Sequence, residues 1–183
     1  MNIAIITFSD FNTNYGSILQ AFALKFFLQE HGHKVTFIKY REYNKFITHS
    51  FKSRIKKYAV KAYHLLYTEQ EKKRRSQFKA FIQSNIPHTH LYTSEQDLES
   101  NLNENFDAYI CGSDQIWNIN ILGGLREPYF LKFVPQGIKK IAYGPSMGEY
   151  EPVGEELVRI KELLESFDFI STREQSSSIF LST

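Results

Sequence analysis

Short apolar runs and helically spaced apolar positions alternate in the first forty residues of the chain. Residues 3–8 form a continuous apolar run, which is typical of a strand buried on both faces. Across residues 17–31 the apolar positions recur at helical spacing, and Gly32 follows where a left-handed helix end is expected. Residues 35–38 are rich in β-branched and aromatic side chains. The pattern predicts strand, helix and strand in that order, which is a βαβ unit.

The same alternation returns in the second half of the chain. Residues 108–111 and 141–143 are short apolar runs, and a turn of small residues follows each of them. Residues 157–164 have helical apolar spacing, and residues 169–170 form a last short apolar run. Strands that alternate with helices predict an α/β fold, namely a Rossmann-like parallel sheet with helices on both faces.

A strongly basic segment separates these two α/β regions. Residues 39–80 contain thirteen Lys or Arg and three acidic residues, although the whole chain carries a net charge of only +2. Apolar positions in this segment predict two amphipathic helices, one over residues 52–66 and one around residues 78–82. We therefore predict a basic helical insertion at about residues 45–90. A solvated helical face and a peripheral contact with an anionic membrane both remain open. No nucleic-acid motif accompanies the charge, so no nucleic-acid partner is expected.

Length and composition narrow the class of protein. The 183 residues, with 42% hydrophobic and 23% charged residues, are typical of one globular domain. No apolar run approaches the about 18 residues of a membrane span, and no basic leader precedes the first apolar run. A cytoplasmic location is expected, with the inner face of the cell membrane as an alternative. Cys111 is the one cysteine, and we interpret it as a small core residue.

Function is expected at the carboxyl ends of the strands, where parallel sheets bind their ligands. The loop after the first strand contains Asn14, Gly16 and Ser17. Gly16 would let the backbone approach a ligand, and either Asn14 or Ser17 can cap the following helix. A plain loop with an N-cap is the alternative. The G-x-G-x-x-G pattern is missing from this loop, which argues against a dinucleotide site.

A second candidate group follows the strand at residues 108–111. Asp114, Gln115 and Trp117 place a carboxylate, an amide and the one tryptophan within four residues, a combination that suits sugar recognition. Asp114 is also a candidate general base toward an acceptor hydroxyl. The alternative is that Asp114 only caps a turn and that Trp117 packs inward.

Two further turns bring Ser146 and Arg173 to strand ends. Ser146 lies in a turn of small residues, and Arg173 is placed to hold a carboxylate or phosphate with two hydrogen bonds. A solvated pair of Arg173 with Glu174 is the alternative. Because the strands should run side by side in one direction, we expect Asn14, Asp114, Ser146 and Arg173 along a single rim. The histidines have no partners at ligand spacing, so no metal site is predicted.

Taken together, four sequence elements resemble the polysaccharide pyruvyl transferase family and correspond to its N-terminal half. The elements are Asn14-x-Gly16-Ser17-Ile18-Leu19-Gln20-Ala21-x-Ala23-Leu24, Gly112-Ser113-Asp114-Gln115-x-Trp117, Lys140-Ile141-Ala142-Tyr143-x-x-Ser146-x-Gly148 and Ser171-x-Arg173-Glu174. The resemblance implies the N-terminal lobe of a two-lobed GT-B fold, with the second lobe absent from this chain. It also implies transfer of a pyruvyl group from phosphoenolpyruvate to two sugar hydroxyls as a ketal, without a metal or nucleotide cofactor.

The resemblance further implies a division of roles. The first lobe would hold a sugar or a lipid-linked oligosaccharide acceptor through Asp114, Gln115 and Trp117, and Arg173 would reach phosphoenolpyruvate across the cleft. A truncated or split enzyme is then expected, which turns over poorly unless a second chain or another copy completes the cleft. The alternative is a non-catalytic carbohydrate-binding or partner-binding remnant of this fold. Pro145 departs from the family pattern and predicts a stiffer turn before Ser146.

Overall fold

A six-stranded, all-parallel sheet is the centre of the structure. The computed structural model describes residues 1–9, 14–41 and 69–182, and the sheet order within them is β3-β2-β1-β4-β5-β6. Every neighbouring pair of these strands is parallel. The Rossmann-like α/β prediction is therefore confirmed. The strands are β1 (Asn2–Ile6), β2 (Lys34–Tyr40), β3 (His88–Tyr92), β4 (Ala108–Gly112), β5 (Lys139–Tyr143) and β6 (Phe169–Ser171).

Helices cover both faces of this sheet. One core packs sheet residues such as Phe37 against α1 and α2, which contribute Ile18 and Phe78. The other core packs sheet residues such as Cys111 against α3 to α5 and a 3-10 helix, and α3 contributes the fully buried Leu98. The helices are α1 (Tyr15–Glu30), α2 (Glu69–Asn85), α3 (Glu95–Asn101), α4 (Ile119–Leu122), α5 (Gly154–Leu164) and α6 (Gln175–Ser182), with the 3-10 helix at Glu127–Phe130.

The end of the basic segment, from Glu69, is part of this layer. The predicted helix around residues 78–82 is confirmed as α2, whose Phe78 and Ile82 are buried in the core beside α1. β3, which the sequence pattern did not predict, follows α2 and forms an edge strand of the sheet. The described residues from Glu69 to Tyr92 therefore belong to the sheet and its helical layer. The predicted helix over residues 52–66 lies outside the described residues.

The charged side of α2 is exposed. Lys72 lies 2.5 Å from Glu69 and Arg74 lies 2.9 Å from Glu71, each one helical turn away. These exposed pairs have the arrangement of a solvated helical face and contribute little to stability. Among the helices that the structure describes, none has the length and apolar character to cross a membrane.

Candidate functional site

The loops at the carboxyl edge of the sheet are joined by hydrogen bonds. The Ser17 hydroxyl at the start of α1 donates to Oδ2 of Asp114, which follows β4. The Ser146 amide, after β5, donates to the Asp114 carbonyl oxygen at 2.9 Å. The Arg173 guanidinium, after β6, donates to Ser146 Oγ at 2.8 Å. Asn14 caps α1 by accepting from the Ser17 amide at 3.2 Å. The predicted convergence of these four loops on one rim is confirmed.

Asp114 lies at the centre of the rim and is half-buried. Its Oδ1 accepts a hydrogen bond from the Gln115 amide at 2.7 Å, and its Oδ2 accepts from Ser17. An ionised carboxylate offers about four acceptor positions, so each oxygen retains capacity for a further donor such as a sugar hydroxyl. Asp114 thus caps its own turn, as the alternative interpretation had it, and still has acceptor capacity for a ligand.

Gln115 and Gly16 are two further predicted site residues at the rim. The Gln115 side chain is half-buried, and its Oε1 accepts from Asn118 Nδ2 at 3.0 Å. Gly16 lies exposed in the first turn of α1, and a Cβ added there would meet Asn14 Oδ1 at 3.4 Å, an ordinary contact. The structure therefore brings Gln115 beside Asp114, and it places Gly16 in a helical turn where the backbone alone does not require glycine. The binding roles of both residues stay predictions.

Trp117 does not face a ligand. Its side chain is 0% exposed, stacks on Phe130 at 5.0 Å between ring centroids, and donates its indole N–H to the Tyr129 carbonyl at 2.9 Å. The expectation that Trp117 covers the apolar face of a sugar is therefore wrong, because both ring faces and the polar edge are occupied within the core. The alternative interpretation, in which Trp117 packs into the core, is confirmed.

Glu174, expected from the sequence only as a partner of Arg173, holds the loop after β5 in place. Its Oε1 accepts from the Met147 and Gly148 amides at 3.0 and 3.3 Å and from the Ser177 hydroxyl. The Arg173 guanidinium lies 3.6 Å from its Oε2. Through these bonds the start of α6 fixes the loop that carries Ser146. The Arg-Glu pair directly after the last strand was the available signal.

The surroundings of Glu174 lower the pKa of its carboxyl. Burial alone raises this pKa, but hydrogen bonds from the Ser177 and Ser146 hydroxyls and from the Met147 and Gly148 amides outweigh burial, and the net shift is downward from 4.5. A carboxyl with a lower pKa in the folded than in the unfolded chain stabilises the fold above its ordinary pKa. That stabilisation is lost as pH falls through the folded value.

Glu174→Gln is accordingly expected to destabilise the chain in a pH-dependent way. The difference in free energy of unfolding between wild type and variant should be largest near neutral pH and should narrow below the ordinary pKa of 4.5. Urea unfolding at a series of pH values from neutral to acidic measures it. Ser177→Ala removes one donor but keeps the carboxylate, so it should show a smaller pH-dependent difference. A difference that is constant with pH would contradict this role.

Gly112, at the end of β4, allows two strand-end loops to touch. Its φ is +124°, which L side chains rarely adopt, and a Cβ there would overlap the carbonyl oxygen of Tyr143 and lie 2.9 Å from the carbonyl carbon. Pro145 closes the same space, since its Cδ would lie 3.2 Å from that Cβ. Pro145 is buried against this contact rather than lining an open turn. The glycine therefore brings the loops after β4 and β5 together.

Two pockets lie at this edge of the sheet. The larger has a volume of about 490 Å³ and is formed by the end of β6 and the start of α6. Arg173 lines it with a side chain that is 46% exposed. The second pocket has a volume of about 360 Å³ and lies between α1 and the ends of β4 and β5. Both pockets fall within the range of volumes that small-molecule sites occupy.

Cys111 lies beside the site without taking part in it. The side chain is fully buried in the core, and burial raises the pKa of its thiol well above the usual value. A thiol held protonated in this way is a poor nucleophile, which agrees with its interpretation as a core residue. Within residues 1–9, 14–41 and 69–182, no group of three or more His, Cys, Asp or Glu is arranged to hold a metal ion.

The fold and the rim together define a class of protein. A parallel sheet with convergent polar loops at its carboxyl edge defines a Rossmann-like lobe of the kind that binds ligands at that edge. The family model described as Polysaccharide pyruvyl transferase matches residues 14–183. The chain therefore belongs to the polysaccharide pyruvyl transferase family, a family of transferases. No curated protein and no solved structure matches it.

Proposed function

We propose that this lobe takes part in transferring a pyruvyl group from phosphoenolpyruvate to two hydroxyls of a surface-polysaccharide sugar. The observation that carries the proposal is the hydrogen-bonded rim, which joins a carboxylate (Asp114), two hydroxyls (Ser17, Ser146) and a guanidinium (Arg173) across four loops. Family membership supports the same reaction class. The acceptor in this proposal is a sugar or lipid-linked oligosaccharide, and a second lobe or second chain completes the donor side.

The reaction sets the chemistry that the rim must supply. Two acceptor oxygens form bonds to C2 of phosphoenolpyruvate, and the C2–O bond to phosphate breaks. Of the two hydroxyl protons, one ends on the methylene carbon, which becomes the methyl group of the ketal, and the other leaves with the phosphate. A base for the hydroxyl and cationic groups for the carboxylate and phosphate are therefore needed.

Asp114 is the base in this proposal. Ser17 and the Gln115 amide hold its carboxylate in one orientation, and the carboxylate keeps acceptor capacity for a sugar hydroxyl. Gln115, which adjoins Asp114 at the half-buried edge, contributes an amide to the acceptor side. Asn14 and Gly16 belong to the same side through the first turn of α1.

Arg173 is the donor-side cation in this proposal. Its side chain lines the larger pocket together with the first residues of α6, where the helix dipole also favours an anion. The guanidinium contacts Ser146 Oγ and remains 46% exposed, so part of its fork is open to a carboxylate or phosphate. Glu174 holds the Ser146 loop in place by accepting from the Met147 amide.

Phosphoenolpyruvate should stabilise the chain through Arg173. At a concentration a hundred times the Kd, a ligand that binds only the folded state adds about 2.7 kcal/mol to the free energy of unfolding. Arg173→Ala should abolish this increment, which thermal unfolding with and without phosphoenolpyruvate measures. Arg159→Ala is the matched control, because Arg159 lies on α5, pairs with Glu127 and Glu162 and does not line the pocket.

The control separates ligand binding from general destabilisation. Arg159→Ala is expected to lower the melting temperature but to keep the full increment from phosphoenolpyruvate. Phosphate release from phosphoenolpyruvate in the presence of an acceptor glycan should fall at least about a hundredfold for Asp114→Asn, the scale of general base catalysis. Wild-type chain that gains no stability from phosphoenolpyruvate would favour the non-catalytic carbohydrate-binding alternative.

A further inference from the structure

The pocket beside α1 adjoins the rim but takes no part in the chemistry above. Ser113 precedes Asp114, and Gln20 lies three residues after Ser17, so both neighbour the Ser17–Asp114 hydrogen bond along the chain or helix. The volume of the pocket, about 360 Å³, exceeds the roughly 300 Å³ lower bound of small-molecule pockets. The lining residues are Gln20, Ala23, Leu24, Phe27, Ser113 and Tyr143.

Two aromatic side chains stand open to solvent in this pocket. Phe27 on α1 is 58% exposed and Tyr143 at the end of β5 is 53% exposed. Leu24 and Ala23 add apolar surface on the same helix. Exposed aromatic rings beside a pocket offer flat apolar surface to a ligand, and the apolar faces of pyranose rings fit such surfaces.

Polar groups in the pocket come from two different elements. Gln20 donates from Nε2 to Thr7 Oγ1 at 3.4 Å, while its Oε1 is buried and has no hydrogen-bond partner within the described part of the chain. An unsatisfied amide oxygen is costly, and the terminal torsion of Gln is broad enough to turn it toward a ligand hydroxyl. Ser113, in the loop after β4, adds a hydroxyl. Aromatic faces combined with an amide and a hydroxyl are the chemistry of saccharide recognition.

We propose that this pocket is a saccharide subsite that holds a second ring of the acceptor glycan. The proposal rests on the function proposed above, in which Asp114 meets the ring that receives the pyruvyl group. The neighbouring ring packs on Phe27 and Tyr143 and hydrogen-bonds to Gln20 and Ser113. An oligosaccharide that reaches both the rim and this pocket therefore binds more tightly than the monosaccharide that reacts.

Adjacent residues of α1 provide a matched test. The probe is a printed array of cell-surface oligosaccharides with their component monosaccharides, and the strongest binder is then titrated by calorimetry. Phe27→Ala and Tyr143→Ala should each weaken binding by about five- to tenfold, the scale of one lost aromatic contact. Phe26→Ala should leave the Kd unchanged, because Phe26 is 55% exposed on the same helix and does not line the pocket.

The outcomes separate this subsite from the proposed function. If Asp114→Asn weakens glycan binding and Phe27→Ala and Tyr143→Ala do not, the subsite is overturned and the acceptor role of the rim is kept. If only the two aromatic variants weaken glycan binding, the subsite is kept and the role of Asp114 is contradicted. An array on which no glycan binds overturns the subsite, and the phosphoenolpyruvate titration with Arg173→Ala still decides the donor side.

Discussion

Gly112→Ala is expected to lower the free energy of unfolding by more than about 4 kcal/mol, a loss that few single substitutions cause. The added methyl group would overlap the backbone carbonyl of Tyr143 on the neighbouring strand, and a φ of +124° is strained for any L side chain. The clash is with backbone rather than with a mobile side chain, so β4 and β5 would have to separate. Urea unfolding followed by circular dichroism measures the loss.

Gly124→Ala is the matched control for the backbone strain alone. Gly124 also has a strongly positive φ, +138°, but nothing lies within 4 Å of a Cβ added there. We expect this variant to lose only about 1 to 3 kcal/mol, the cost of a residue in a sparsely populated conformation. Equal losses at Gly112 and Gly124 would show that backbone strain, and not contact with Tyr143, explains the requirement for glycine.

Trp117→Ala is expected to cost about 3 to 5 kcal/mol, the usual range for removing a buried aromatic side chain. The indole is fully buried, stacks on Phe130 with an angle of 4° between the rings, and meets Phe167 edge to face at 6.3 Å. Alanine would leave a cavity where these rings meet. Chemical denaturation measures the change, and the array described above shows whether glycan binding changes with it.

Trp117→Phe distinguishes packing from hydrogen bonding at this position. Phenylalanine keeps an aromatic ring against Phe130 but removes the indole donor to the Tyr129 carbonyl, so a loss of about 1 to 3 kcal/mol is expected. If Trp117→Ala instead kept wild-type stability and selectively weakened glycan binding, the placement of Trp117 in the core would be contradicted.

The sheet was predictable where its strands are buried on both faces. β1 and β4 appear in the sequence as continuous apolar runs, because α/β layers leave no polar face on their central strands. β3 is an edge strand in which two of five residues are buried, so its His-Thr-His-Leu-Tyr sequence has no such run. The start of α6 likewise has the sequence of a serine-rich tail. Its buried residue Ser177 is held by hydrogen bonds and not by an apolar side chain, so no apolar pattern marks the helix.

The candidate site was predictable as far as strand direction determines it. Parallel strands place their following loops at one edge, which is why Asp114, Ser146 and Arg173 meet. The burial of the Trp117 side chain depends instead on a 3-10 helix that begins ten residues later in the chain and supplies Tyr129 and Phe130. No local periodicity carries that information. The steric need for Gly112 likewise arises from β5, a distant segment in sequence.

Ser146 lies between the two ends of the rim, with its hydroxyl turned toward Arg173 and its amide bonded to the Asp114 loop. An anion that draws the guanidinium away from this hydroxyl removes one contact of Ser146. The amide of the same residue is bonded to the Asp114 carbonyl. In the function proposed above, occupancy of the donor side and alignment of the base are thereby linked through one contact between side chains and one contact between backbone groups. If the proposed function holds, we expect the order in which the two substrates bind to change how well the Asp114 carboxylate is aligned.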